Sequence, residues 1–236
     1  MGKNVTSDRL ETYAKMHGGG RTYDFSQALA FKVIESDEGH QGKMYKMVLR
    51  NGQPMGGVCM TLCAFWLVFH AMQDKPGGNS FTRGRSVWDY LFKDGGLNMG
   101  AATNIVVEHK QSSGKQLVYF DSFLKQFGVN YRATGITGSG LSNAYLPFGY
   151  SALMAAGRLI TTGNGYKMIS LAKNTDGTGG GHAVSAWFDG RDVLFMDPNF
   201  GEFWLPNATA FHAWFQFFLL NTYMRSYKSL RARTYV

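Results

Sequence analysis

Apolar residues fill positions 58–72 with almost no polar break, whereas elsewhere in the chain they come in short alternating runs. A stretch that is apolar nearly all round predicts a helix buried on most of its faces. The string Asp74-Lys75-Pro76-Gly77-Gly78 stops it. Runs at 167–172, 182–188 and 193–196, divided by turn-forming residues, predict strands of an antiparallel sheet. A further strand is expected at 44–49. Short helices are expected at 86–92 and 116–127, and a long, amphipathic-to-buried one at 208–223. The Gly- and Ser-rich stretch 135–142 reads as a loop. Residues 1–20, ending in Gly18-Gly19-Gly20, read as a flexible N-terminal arm, and 21–236 as one globular domain of class α+β.

Composition narrows the class. In a chain of 236 residues, 44% hydrophobic and 17% charged, disorder is excluded and a sizeable core is feasible. The 15% aromatic content predicts a bulky core, and 30 glycines suit a mixed fold with many turns. No stretch reaches the roughly 20 uncharged apolar residues of a membrane span, and the polar start does not read as a secretory signal. Two cysteines four residues apart cannot staple a fold, which fits a reducing site of action. The net charge of +8 comes without a nucleic-acid motif, so nucleic acid is not expected as a partner. Arg225, Lys228, Arg231 and Arg233 would suit an anionic membrane surface. No grouping has zinc spacing, and neither metal nor cofactor is implied.

Cys59 stands at the predicted start of the buried helix, directly after Gly56-Gly57. There the N–H groups of the first turn and the helix dipole favour a thiolate, and the glycines let a substrate backbone come close. Cys63 lies one turn deeper, where a small buried hydrophobe is expected. Cys59, Leu62, Cys63 and Trp66 share one helix face.

A base comes from the second half of the chain. Asp189-Gly190 between two alternating runs signals a two-residue hairpin turn. Counting back from it sets Phe188 across from Arg191 and His182 directly across from Asp197, with Cβ atoms about 5 Å apart. A carboxylate so placed holds an imidazole in one tautomer and stabilises its protonated form. Gln53, six residues before Cys59, could join the Cys59 N–H in binding an oxyanion, with Asn51 a weaker substitute. His70 and His212 fall on apolar helices as core or boundary residues, while His17, His40 and His109 lie in polar surroundings.

Three segments together resemble the YopT/AvrPphB-type cysteine proteases. They are Gly57-Val58-Cys59-Met60-Thr61-Leu62 with Trp66, then Gly181-His182-Ala183-Val184, then Asp197-Pro198-Asn199-Phe200-Gly201 with Phe203. The resemblance implies a papain-like cysteine protease fold of class α+β, its buried nucleophile helix packed against an antiparallel sheet. It implies a Cys59–His182–Asp197 triad with Gln53 in the oxyanion hole. It also implies a secreted bacterial effector that acts in the host cytoplasm on a host protein, such as a membrane-attached small GTPase or a signalling kinase. The start Met1-Gly2-Lys3-Asn4-Val5-Thr6 fits the loose N-acylation pattern. Two other readings stay open. The same triad could deamidate or transglutaminate a Gln side chain, or the chain could be a non-catalytic basic module that binds a membrane or partner.

Overall fold

Alternating apolar positions in the second half of the chain build a single antiparallel sheet with one face turned to helices. The structure is a computed structural model that describes residues 5–30, 38–39, 58–73, 85–132 and 145–236. Along the chain run α1 (Val5–Met16), β1 (Gly20–Tyr23), α2 (Cys59–Met72), α3 (Val87–Leu91), β2 (Phe92–Lys93), β3 (Gly96–Leu97), α4 (Met99–Ser112) and α5 (Gln116–Gln126). There follow β4 (Tyr131–Arg132), β5 (Leu146–Pro147), α6 (Tyr150–Thr161), β6 (Gly165–Ala172), β7 (Gly181–Phe188), β8 (Val193–Asp197), β9 (Gly201–Leu205), α7 (Ala208–Thr222) and β10 (Ser229–Tyr235). The expected strand at 44–49, the loop at 135–142, Asn51 and Gln53 lie outside the described residues.

The chain divides into two compact units, Met1–Asp24 with Tyr131–Val236, and Phe25–Asn130. In the first, the strand order is β1-β9-β8-β7-β6-β10-β4, with β5 also paired to β10. All of these pairings are antiparallel, so neighbouring strands satisfy one another's backbone groups without βαβ crossovers. One face carries Ile169, Val184, Phe195, Phe203 and Ala232 against Phe211, Trp214, Phe215 and Phe218 of α7. Removing that much aromatic surface from water is the main drive for this unit.

Residues 5–16, expected in a loose arm, form α1 instead. Leu10 and Ala14 are fully buried in the same core, and the Trp214 indole N–H donates to the Leu10 carbonyl at 3.0 Å. Arg21 ties this helix to β1 by bonding the Ser7 hydroxyl at 2.6 Å and pairing with Glu11 at 2.8 Å. The basic C-terminal run also differs from an open surface. In β10, Arg231 and Arg233 are half-buried, their guanidinium groups 4.7 Å over the Tyr145 ring and 3.9 Å over the Tyr131 ring.

The second unit is helical around α2, whose residues 61–69 are all buried. Phe65 stacks on Phe123 of α5 with ring centroids 5.4 Å apart, and Phe69 on Tyr90 at 5.2 Å. A capping box at Ser86 and Asp89 starts α3. Asp94 and Gly95, both at positive φ, make the two-residue turn between β2 and β3.

Candidate active site

His182 is the second residue of β7, directly after a loop with Gly179 and Gly180 at positive φ. Gly181 is needed there because a Cβ would stand 2.4 Å from the Leu171 carbonyl oxygen. Leu171 is also the partner of His182 across β6, so the close strand contact fixes the base at the sheet end.

Asp197 ends β8, and its pairing with His182 arises by a different register from the one expected. The β7–β8 ladder runs from Ser185↔Met196 to Phe188↔Val193, closing over a four-residue loop, 189–192, instead of a two-residue turn. The cause is the Asp189 carboxylate, which accepts the N–H groups of Arg191 at 2.8 Å and Asp192 at 2.7 Å and so keeps both in the loop. Extending the ladder puts Val184 across from Asp197, with His182 one diagonal step away. A shift by two residues preserves the sheet face, so the side chains still meet. His182 Nε2 lies 3.0 Å from Asp197 Oδ1, with His182 only 6% exposed and Asp197 not at all.

Three donors hold the buried carboxylate. Oδ1 also accepts the Asn199 backbone N–H at 2.7 Å, from the turn that follows Pro198. Oδ2 accepts the Tyr223 hydroxyl at 2.8 Å, and the Asn199 side-chain amide donates to that same hydroxyl oxygen at 2.9 Å. Tyr223 stands just past the end of α7, its ring centroid 4.8 Å from that of His182 with the planes inclined by 32°. Burial, then the neighbouring Asp197 charge, push the Tyr223 phenol well above its ordinary pKa, so it remains a donor at neutral pH.

In the other unit, Cys59 is the first residue of α2, and the Leu62 N–H bonds the Val58 carbonyl at 2.9 Å in the opening turn. No acid sits in this turn, so no negative side chain there opposes a thiolate at the helix start. Both cysteines are thiols; Cys59 is 7% exposed and Cys63 fully buried, as its deeper position predicts.

Residues 16–235 match the peptidase C58 family, described as Yersinia/Haemophilus virulence surface antigen. The chain belongs to this family. Among C58 relatives, it is 28% identical over 210 residues to the protein adenylyltransferase and cysteine protease IbpA of Histophilus somni, covering 81% of this chain but 5% of that one. It is 26% identical over 219 residues to the cysteine protease YopT of Yersinia pestis, covering 84% of this chain and 57% of YopT. The chain therefore spans little more than half the length of its YopT relatives. Among solved structures, the Pseudomonas avirulence protein AvrPphB aligns over 80% of this chain and 93% of its own at 16% identity, with a TM-score of 0.47.

In this C58 chain the expected base and acid are brought together inside one unit. The expected nucleophile heads a helix of the other, and Gln53 lies outside the described residues. Three other histidines have settings of their own. His212 Nε2 lies 2.7 Å from the Thr161 hydroxyl and His109 Nδ1 3.5 Å from that of Thr61; burial lowers the pKa of both rings. His109, expected in polar surroundings, is thus half-buried on α4. The ring of His70 sits 5.2 Å from that of Trp66. Among the described residues no group of three His, Cys, Asp or Glu could hold a metal ion, and no helix is long and apolar enough to cross a membrane. Sequence reasoning missed Tyr223. It lies 26 residues from Asp197, at a helix end with no periodic or motif signal, and only the packing of α7 on the sheet brings it there.

Proposed function

We propose that the chain is a cysteine endopeptidase in which Cys59 is the nucleophile, His182 the base and acid, and Asp197 the group that orients His182. The observation that carries this reading is the buried hydrogen bond between His182 and Asp197 in a chain of the C58 family. Asp197 holds Nε2, so proton exchange with substrate falls to Nδ1. The Cys59 proton moves to Nδ1, giving a thiolate–imidazolium pair. The thiolate sulfur attacks the peptide carbonyl carbon, and the oxyanion is held by the Cys59 N–H with the Gln53 amide. The imidazolium then gives its proton to the leaving amine, and water activated by His182 hydrolyses the thioester.

The substrate is a host protein, met in the host cytoplasm after the chain is delivered as a bacterial effector. The excess of basic residues suits action at an anionic membrane surface. The test is covalent labelling with the epoxide E-64, comparing the wild type with Cys59→Ala, followed by mapping of new N-termini in a treated host-cell proteome. Labelling that depends on Cys59, together with new N-termini, is expected. Labelling that survives in Cys59→Ala contradicts the assignment. A gain of about 1 Da on Gln residues without cleavage would point to deamidation through the same thioester chemistry.

A further inference from the structure

Asp197 can serve His182 only while its carboxylate stays in one orientation, and the pair itself supplies a single bond toward that end. Oδ1 is shared between His182 Nε2 and the Asn199 backbone N–H. Oδ2 faces away from the base and takes the Tyr223 hydroxyl. A fully buried carboxylate held on one oxygen alone could turn to find donors for the other, and that turn would draw Oδ1 off the imidazole.

The hydroxyl is itself aimed. The Asn199 Nδ2 group can only donate, and it does so to the Tyr223 oxygen at 2.9 Å, leaving the phenolic hydrogen to point at Asp197. The Tyr223 ring then lies beside the His182 ring at 4.8 Å, limiting rotation of the imidazole about its own side-chain axis. Phe218 and Phe200 close around Tyr223 at 5.6 and 6.1 Å, so the phenol has little room to leave.

We propose that Tyr223 is a positioning residue of the peptidase, acting through Asp197 to hold the His182 imidazole in its working tautomer and plane. This rests on the reading that His182 and Asp197 serve Cys59. Within its unit, His182 is faced by groups from several elements. Asp197 comes from β8, Asn199 from the following turn and Tyr223 from the end of α7, with Tyr227 one ring further out. β6 offers the apolar Leu171. Asp197 is the carboxylate among these groups, so a loosened Asp197 weakens the charge-assisted hydrogen bond that orients the imidazolium.

Tyr223→Phe keeps the ring and removes the O–H. The second-order rate of E-64 labelling should fall about tenfold, the scale of one hydrogen bond to a charged group. The titration midpoint of the His182 ring, followed by ¹⁵N-imidazole NMR, should move down at the same time. Combined with Asp197→Asn, the Tyr223→Phe change should slow labelling no further than Asp197→Asn does alone. Asn199→Ala, which leaves Tyr223 in place and releases its aim, should give the same displacements at smaller amplitude. A variant that merely loosens the fold would lower Tm without moving the His182 midpoint. Wild-type rate and midpoint in Tyr223→Phe overturn the inference while leaving the peptidase reading intact, as does a fully additive loss in the double variant. Labelling that persists in Cys59→Ala overturns the peptidase reading and the inference with it.

Discussion

Replacing Asp197 by Asn removes one negative charge from the site while keeping the side chain's size and shape. The Asn oxygen can take the place of Oδ1, accepting from His182 Nε2 and the Asn199 N–H, which in the wild type lie at 3.0 and 2.7 Å. Its NH₂ group then meets the Tyr223 oxygen, which already accepts from the Asn199 amide, and the phenolic hydrogen loses its acceptor. The tautomer is kept, and what disappears is the charge beside the imidazolium. A hydrogen bond to a charged group contributes about 1.5–3 kcal/mol, because neither partner is rescued by water when buried. Converted to a rate, that is a fall of roughly tenfold to 150-fold. The assay is the second-order rate of E-64 labelling across pH, which requires no knowledge of the natural substrate. The fall should be accompanied by an alkaline limb shifted to lower pH, since an imidazolium without its carboxylate loses its proton sooner. A rate within twofold of wild type, with an unmoved limb, would show that Asp197 does not act on the chemistry.

Other consequences concern stability. Gly157 lets α6 meet α7, and a Cβ there would stand 2.9 Å from Cδ2 and 3.3 Å from the Cα of His212, whose ring is held by Thr161. Gly157→Ala should therefore cost about 1–3 kcal/mol by overpacking, more than the gain in helix propensity, and lower Tm by several degrees in a thermal melt. An unchanged Tm would mean that the two helices separate readily. Lys167 is buried with its ammonium on the Thr162 and Gly163 carbonyls and the Thr234 hydroxyl, and burial followed by the Arg132 charge lowers its pKa from 10.5 to about 8. Between those two values the unfolded chain binds more protons than the folded one, so stability should rise with pH from about 8 to 10.5. Lys167→Met should abolish that rise in urea melts; a rise of equal size in the variant would assign it to other groups.

Elements with a dense local signal are legible in the order of residues alone. The all-apolar run marks α2 to within one residue, and the alternating runs mark β6, β7 and β8, because burial of one or all faces leaves its period in the sequence. β10 is not legible in this way, since its outward positions carry Arg231 and Arg233, whose charge masks a strand that works by stacking on tyrosines. Two of the three Asp-Gly pairs show the same limit for turns. Asp94-Gly95 makes the two-residue turn, while Asp189-Gly190 opens into a four-residue loop through a side-chain bond that no dipeptide rule contains. His182 and Asp197 are legible as partners because a two-residue register change leaves both on one face. Tyr223 is not, because its place depends on where α7 ends against the sheet.

The central claim, that His182 holds Cys59 as a thiolate, is tested most directly by the pH dependence of Cys59 alkylation. Iodoacetamide incorporation would be read by peptide mass spectrometry, which resolves Cys59 from Cys63, in the wild type and in His182→Ala. Wild-type Cys59 should react well below the ordinary thiol range near about 8.5, and in His182→Ala its reactivity should drop and titrate upward toward that value. Superimposable profiles for the two proteins would contradict the account.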